Sequence, residues 1–166
     1  MNDSLKLGTI IQATLRPQDL IPVFLECLRF DCNNPGWADA INELIPCDAV
    51  AALLSGDDTH PWWDSEECSA VLHDELFSAL DEHSPEFCHF GCTEGDNSDF
   101  GFWPSWDAID DAIADGDILE VNDLSEVGPG HTGYVLVVND HGNMTLFSVD
   151  GGKTFTHWAC ELVQLC

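Results

Sequence analysis

Glu67, Asp74 and Asp81 recur every seven residues, and Asp107, Asp110 and Asp111 lie three and four residues apart. On helices, both spacings stack carboxylates on one face. Steps of seven would set the first row roughly 10.5 Å apart, from a rise of 1.5 Å per residue. Glu66, Glu75 and Glu82 flank that row, and Asp115, Asp117 and Glu120 continue from the triplet. Asp57 and Asp58, then Glu94, Asp96 and Asp99, and further on Asp123 and Glu126, add acids in loops. Carboxylates held at regular intervals can stand in for phosphates. B-form DNA presents about one negative charge per 1.7 Å of axis, and its partners bind it largely through those charges. An outward acidic row on one helix is ordinarily just a solvated face, so the rows acquire meaning only from the rest of the chain.

The 166 residues hold 31 Asp and Glu against Lys6, Arg16, Arg29 and Lys153, a formal net charge of −27. Between Arg29 and Lys153 there is no lysine or arginine, and every acid except Asp3, Asp19, Glu26 and Glu161 falls in that stretch. Like charges at helical i,i+4 spacing each cost a few tenths of a kcal/mol. Asp64, Glu66, Glu67 and Asp107 recover part of this near helix N-termini, whereas Asp110 and Asp111 do not. A surface of mixed sign would be equally soluble and less self-repelling. Salt-adapted proteins are also acidic, but they tend to be sparing with cysteine and bulky hydrophobics, and this chain has eight Cys, nine Phe and six Trp. Its aromatic content also separates it from disordered acidic tails. The charge is expected on a folded surface that meets a basic partner.

Other chemistry is less well supported. Cys88, His89 and Cys92 form the densest set of metal-ligand types, with His83 nearby. C-H-x-x-C lacks a matching second half for zinc, and on a strand Cys88 and His89 would face opposite sides. No metal and no cofactor is expected. Glu94–Gly101 (EGDNSDFG) lacks the register and terminal Glu of a calcium loop. There is no G-x-S-x-G, P-loop, G-x-G-x-x-G or H-E-x-x-H, and no Cys/His pair stands out as a nucleophile, so the chain is not expected to be an enzyme. The eight cysteines read as cytosolic thiols, several of them buried. No apolar run reaches the ~18 residues of a membrane span, and the N-terminus lacks the apolar core of a signal peptide. A cytoplasmic setting in a bacterial host is expected, with neither membrane nor nucleic acid as a direct partner.

The elements that must position the acids follow from periodicity. Pro17–Phe30 carries Leu20, Phe24, Cys27 and Leu28 at helical spacing, with Pro22 as a source of a kink or a later start. Short helices are predicted over Trp37–Leu44 and Asp48–Leu54, with a loop at Gly56–Pro61. The clearest helix is Ser65–Glu82, with Asp64 as N-cap, Glu67 at capping-box spacing, and Cys68, Leu72, Leu76, Ala79 and Leu80 on its inner face. Strands are predicted at Phe87–Gly91 and Asp99–Trp103 around a turn at Thr93–Ser98. A helix capped by Ser105 then spans Trp106 to about Ala114, stopped by Gly116. Ile118–Val121 reads as a strand, Tyr134–Val138 and Met144–Val149 as a hairpin, and Thr154–Val163 as a last strand. Trp62–Trp63 beside Asp64, and FGFWPSW at Phe100–Trp106 beside Asp107, set aromatics next to acids, either as interface anchors or, the preferred reading, as core. The fold class is α+β: a helical N-terminal half packed on a small antiparallel sheet from the C-terminal half. One acidic domain spans 1–166, divisible into a helical part at 14–83 and a mixed helix and sheet part at 84–166.

Ala13–Leu28 (ATLRPQDLIPVFLECL), the stretch around Phe100–Trp106, and Val137–Leu146 (VVNDHGNMTL) resemble small acidic proteins of bacterial plasmids and phages. In overall character the chain is similar to DNA-mimic inhibitors from those elements: anti-restriction proteins, anti-CRISPR proteins and uracil-glycosylase inhibitors. The resemblance implies a mobile-element origin and carries no residue assignments. The expected function is a non-enzymatic inhibitor. It would occupy the basic nucleic-acid-binding surface of a host defence complex, a CRISPR effector first and a restriction enzyme second. The alternatives are an immunity protein or antitoxin against a basic nuclease, and a metal-binding regulatory protein. A homodimer would extend the charged surface, though nothing in the sequence requires one.

Overall fold

A computed structural model describes residues 6–150 and 152–160. The protein is α+β, helical in its N-terminal half, with its larger sheet at the C-terminal end. It forms two compact units, one of residues 9–84 and 90–101, the other of residues 6–8, 85–89 and 102–160.

In the first unit, α1 (Pro17–Phe30) begins on Pro17 and buries Leu20, Ile21, Phe24, Leu25, Cys27 and Leu28. The helix runs through Pro22, whose ring lies on the exposed side. Asn34 caps α2 (Pro35–Asn42) by accepting from the Trp37 N–H at 3.1 Å; α3 is Cys47–Leu54. A 3-10 turn, Pro61–Asp64, follows. It absorbs Asp64, so the cap of the next helix is not Asp64 as predicted but Ser65, whose hydroxyl accepts from the Cys68 N–H at 3.1 Å.

That helix, α4, is Glu66–Ala70, a π-helical stretch Val71–Leu76, and Phe77–Glu82. The Phe77 N–H bonds to the Leu72 carbonyl, five residues back. Sequence periodicity does not predict this π turn, yet it explains the inner face. Cys68, Leu72, Leu76 and Leu80 are spaced by four and each is at most 2 % exposed. On a regular α-helix each step of four advances about 40°, a drift of about 120° from Cys68 to Leu80. One extra residue in a π turn takes back about 100° of that, so the apolar stripe stays aligned. The acidic row is rotated by the same amount. Asp81 stands about 140° round from Glu67 rather than about 40°, and the straight row of three is corrected to a broken one.

The core of this unit is aromatic. Phe24, fully buried, meets Phe77, Phe90 and Phe100 edge-on, with ring centroids 5.8, 5.1 and 5.9 Å away. Trp62 and Trp63 are buried and T-shaped to each other at 4.9 Å, so this pair is core, as preferred. His83 ties the end of α4 to the turn after α1: Nδ1 lies 2.8 Å from the Ala79 carbonyl and Nε2 3.2 Å from the Asn34 amide nitrogen. A neutral ring protonated on Nδ1 satisfies both contacts.

A three-stranded sheet has the order β1 (Gly8–Ile11), β3 (Asp96–Pro104), β2 (Cys88–Thr93). The β2–β3 turn is tighter than predicted because Gly95, at φ +92°, allows the chain to reverse over Glu94 and Gly95.

In the second unit, α5 (Trp106–Asp115) ends on Gly116 at φ +84°. Ser105 occupies the N-cap position, but its side chain makes no cap bond; its backbone N–H donates to the Phe87 carbonyl at 2.8 Å instead. A four-stranded sheet follows in the order β4 (Ile118–Val121), β5 (Gly133–Val138), β6 (Met144–Asp150), β7 (Lys153–Cys160). The β5–β6 hairpin and the β6–β7 pair are antiparallel, and β4 joins β5 in parallel. The predicted residues 161–163 of the last strand lie outside the described ones. Register places Leu136 opposite Leu146 and Leu146 opposite Trp158. These three pack with Ile109, Ala112 and Ile118 into the core of the unit. The Trp158 indole donates to the Glu86 carbonyl at 2.8 Å.

Phe24→Ala is expected to lower unfolding free energy by about 3–5 kcal/mol, because it empties the centre of a four-ring cluster. Urea denaturation of the purified chain followed by Trp fluorescence measures it.

Candidate partner-binding surfaces

Every primary acid predicted from the sequence is exposed: Glu66, Glu67, Asp74, Glu75, Asp81 and Glu82 on α4, and Asp107, Asp110, Asp111, Asp115, Asp117 and Glu120 on or after α5. The α4 set belongs to the first unit and the α5 set to the second, so each unit carries an acidic set. Glu66 and Glu67 occupy the first turn of α4, and Asp107 that of α5, where free backbone N–H groups favour negative charge. Asp74 and Glu75 project from the π stretch. Asp81 has a second duty: one carboxylate oxygen accepts from the Phe90 N–H at 2.8 Å and holds β2 against α4.

Among the described residues, the ion pairs are Arg16 with Asp19 and Asp58 and Arg29 with Asp39, and the His60 Nε2 lies 3.5 Å from an Asp48 carboxylate oxygen. None engages the carboxylates of α4 or α5. Both arginines are thus spent on acids of the N-terminal part, and the predicted surfaces stay uncompensated.

The secondary acids divide by what holds them. Asp57 accepts from the Thr59 N–H at 3.0 Å and the Thr59 hydroxyl at 2.6 Å. Asp96 accepts from the Ser98 N–H at 2.9 Å and the Ser98 hydroxyl at 2.7 Å. Asp123 repeats the motif with Ser125, whose N–H lies at 2.8 Å. In each D-x-S/T turn, hydrogen bonds from the hydroxyl first, then the backbone N–H, hold the carboxylate below its ordinary pKa. These loop charges are fixed in place and stay ionised to lower pH than a free aspartate. Asp58 is taken by Arg16. Asp99 is half-buried and accepts from the Thr9 hydroxyl at 3.1 Å. Glu94 is exposed at the hairpin turn.

Among the described residues, no group of three or more His, Cys, Asp or Glu side chains comes together as a metal site. The thiols of Cys88 and Cys92 point to different acceptors, the Glu86 carbonyl at 3.6 Å and the Asn97 side chain at 3.9 Å. No helix among the described residues is long and apolar enough to cross a membrane.

Sequence reasoning missed two grooves in the first unit. One, of about 350 Å³, is lined by Leu15, Leu20, Trp63, Ser69, His73 and Phe100 among others. The other, of about 340 Å³, lies along α1 and α3. Trp63 borders both, and its buried indole N–H has no acceptor among the described residues. Leu15 at the first groove, and Phe30 and Leu54 at the second, are large apolar residues left exposed, which their sequence context does not reveal.

In a carbon-detected NMR titration, Asp57, Asp96 and Asp123 are expected to show midpoints below the ordinary aspartate value of 3.8. Thr59→Ala and Ser98→Ala should raise the midpoints of Asp57 and Asp96. Because the folded-state values are the lower ones, the stability these turns supply is present at neutral pH and fades as pH falls below 3.8 through the folded midpoints. Comparison with known proteins finds no family model, no curated protein and no solved structure that matches this chain.

Proposed function

We propose that the protein is a DNA mimic. Its carboxylates would occupy the basic nucleic-acid-binding surface of a host defence complex, a CRISPR effector in the first instance and a restriction enzyme in the second, and block DNA binding without catalysis. The observation that carries this reading is the set of exposed acids on α4 and α5, with no lysine or arginine between Arg29 and Lys153 to neutralise them. A fold that only needed solubility would intersperse cations. The broken row on α4 supports a curved or wrapped contact better than a straight phosphate ladder, because Glu67 and Asp81 point to different sides of the helix. Fixed loop carboxylates at Asp57, Asp96 and Asp123 add charge whose positions cost no further ordering on binding. The hairpin of β5 and β6, whose connecting loop carries Asp140 alone among charged residues, reads as scaffold.

The test is a pull-down with the full chain from a defence-competent bacterial lysate, at low and high salt, with mass spectrometry of the bound fraction. The expected catch is a nucleic-acid-binding complex that duplex DNA displaces. Affinity for it should fall by at least about tenfold between 50 and 200 mM salt, as for a contact made through several charges. Glu67→Lys with Asp74→Lys should weaken binding by at least about tenfold, whereas Asp140→Lys should change it less than about twofold. A salt-insensitive complex, or one that DNA does not displace, would overturn the reading. Capture of one small basic nuclease in place of a defence complex would favour an immunity protein.

A further inference from the structure

The groove along α1 and α3 is lined by Leu25 and Phe30 of α1, Ile45 from the link before α3, and Val50, Leu53 and Leu54 of α3. Its floor is apolar. On its rim Phe30 is 67 % exposed and Leu54 84 % exposed. Of the large apolar side chains this unit leaves exposed, Leu15, Phe30, Leu44 and Leu54, two line this one concave surface. The border is acidic. Glu26 lines the groove, and Asp31 and Glu43 are exposed next to its walls in sequence, as is Asp48, which already lies 3.5 Å from His60 Nε2. The one cation in the lining, Arg29, already pairs with Asp39.

Apolar floor and acidic rim together select the occupant. A second copy of this chain would bring a formal charge of −27 against −27, and like-charge apposition opposes association. A neutral apolar segment would bring no counter-charge to Glu26, Asp31 and Glu43. A helix with one apolar face and flanking lysines or arginines fits both features, and helices dock into grooves by such a face. We infer that the α1–α3 groove is a docking site for a cationic amphipathic helix of the partner protein. The inference rests on the proposed basic partner and adds the source of specificity: carboxylates of α4 and α5 attract many basic surfaces, and the groove accepts only one that also presents an apolar helix face.

Two synthetic peptides test it, equal in length and in lysine content. One carries leucines at positions i, i+3, i+4 and i+7, and the other has glutamines there. Their binding to the full chain is read by fluorescence anisotropy at low salt and at about 0.5 M salt, where the screening length falls to a few ångströms. At high salt the leucine peptide is expected to bind at least about tenfold tighter than the glutamine peptide, the gain of burying an apolar face. Phe30→Ser with Leu54→Ser should erase that preference; both side chains are mostly exposed, and circular dichroism checks that the variant is folded. Equal affinity of the two peptides, or an unchanged preference in the double variant, would overturn the inference. So would sedimentation showing a dimer of the chain alone that the double variant dissolves, since the groove would then belong to a second copy. Glu67→Lys with Asp74→Lys separates the two proposals. It should weaken lysate capture and leave the leucine preference intact, so undiminished capture with that preference intact counts against the mimic reading and not against the groove.

Discussion

A carboxylate can enter a protein interior only with a partner, since an isolated buried charge costs several kcal/mol or more. This chain has almost no cations to offer. Its two well-placed arginines are used at Asp19, Asp58 and Asp39, and no charged or polar residue is buried as a whole among the described residues; half-buried Asp99 comes nearest, with Oδ1 out of solvent and Oδ2 accepting from the Thr9 hydroxyl. The scarcity of positive charge therefore dictates the architecture. Acids must lie at the surface, and the interior of each unit must be held mainly by apolar and aromatic packing. The Phe24 cluster in one unit and the Leu136, Leu146 and Trp158 row in the other meet that demand.

The same scarcity decides what the carboxylates bond to. With few side-chain cations available, they take backbone N–H groups and hydroxyls. Asp81 accepts from Phe90, Asp57 from Thr59, Asp96 from Ser98, and Asp123 with Glu126 closes a capping box. Each bond to an ionised acceptor is stronger than a neutral one and fixes a charge that would otherwise swing on a free side chain. Acidity and rigidity are thus coupled in this fold, which separates it from a disordered acidic tail of equal charge.

Much of this was legible in the sequence, and the exceptions share a cause. α1, the β4 strand and the β5–β6 hairpin follow from periodicity and turn residues, because in each a single local signal dominates. The exposure of the acids on α4 and α5 followed from the same helical spacing. The π stretch was not legible: an apolar residue every fourth position is compatible with a drifting α stripe or with an inserted residue, and only packing against the Phe24 cluster favours the second. The shift of the α4 cap to Ser65 arose because Pro61–Asp64 closes its own turn. The parallel pairing of β4 with β5 was hidden because strand alternation does not report direction. The grooves were hidden because a side chain left out by packing looks, in sequence, like one packed in.

The π turn links the core to the surface. Six residues, Val71–Leu76, keep Cys68, Leu72, Leu76 and Leu80 aligned inside, and the rotation that aligns them separates Glu67 from Asp81 outside. A regular helix of this sequence would present a straighter acidic row and a misaligned apolar stripe. The burial of four side chains, about 1.5–3 kcal/mol for each large one, outweighs the few tenths of a kcal/mol at stake in spacing exposed acids. The positions of the charges on α4 are therefore set by the interior. On the proposed reading, a partner of those charges would meet a pattern fixed by packing rather than a regular row.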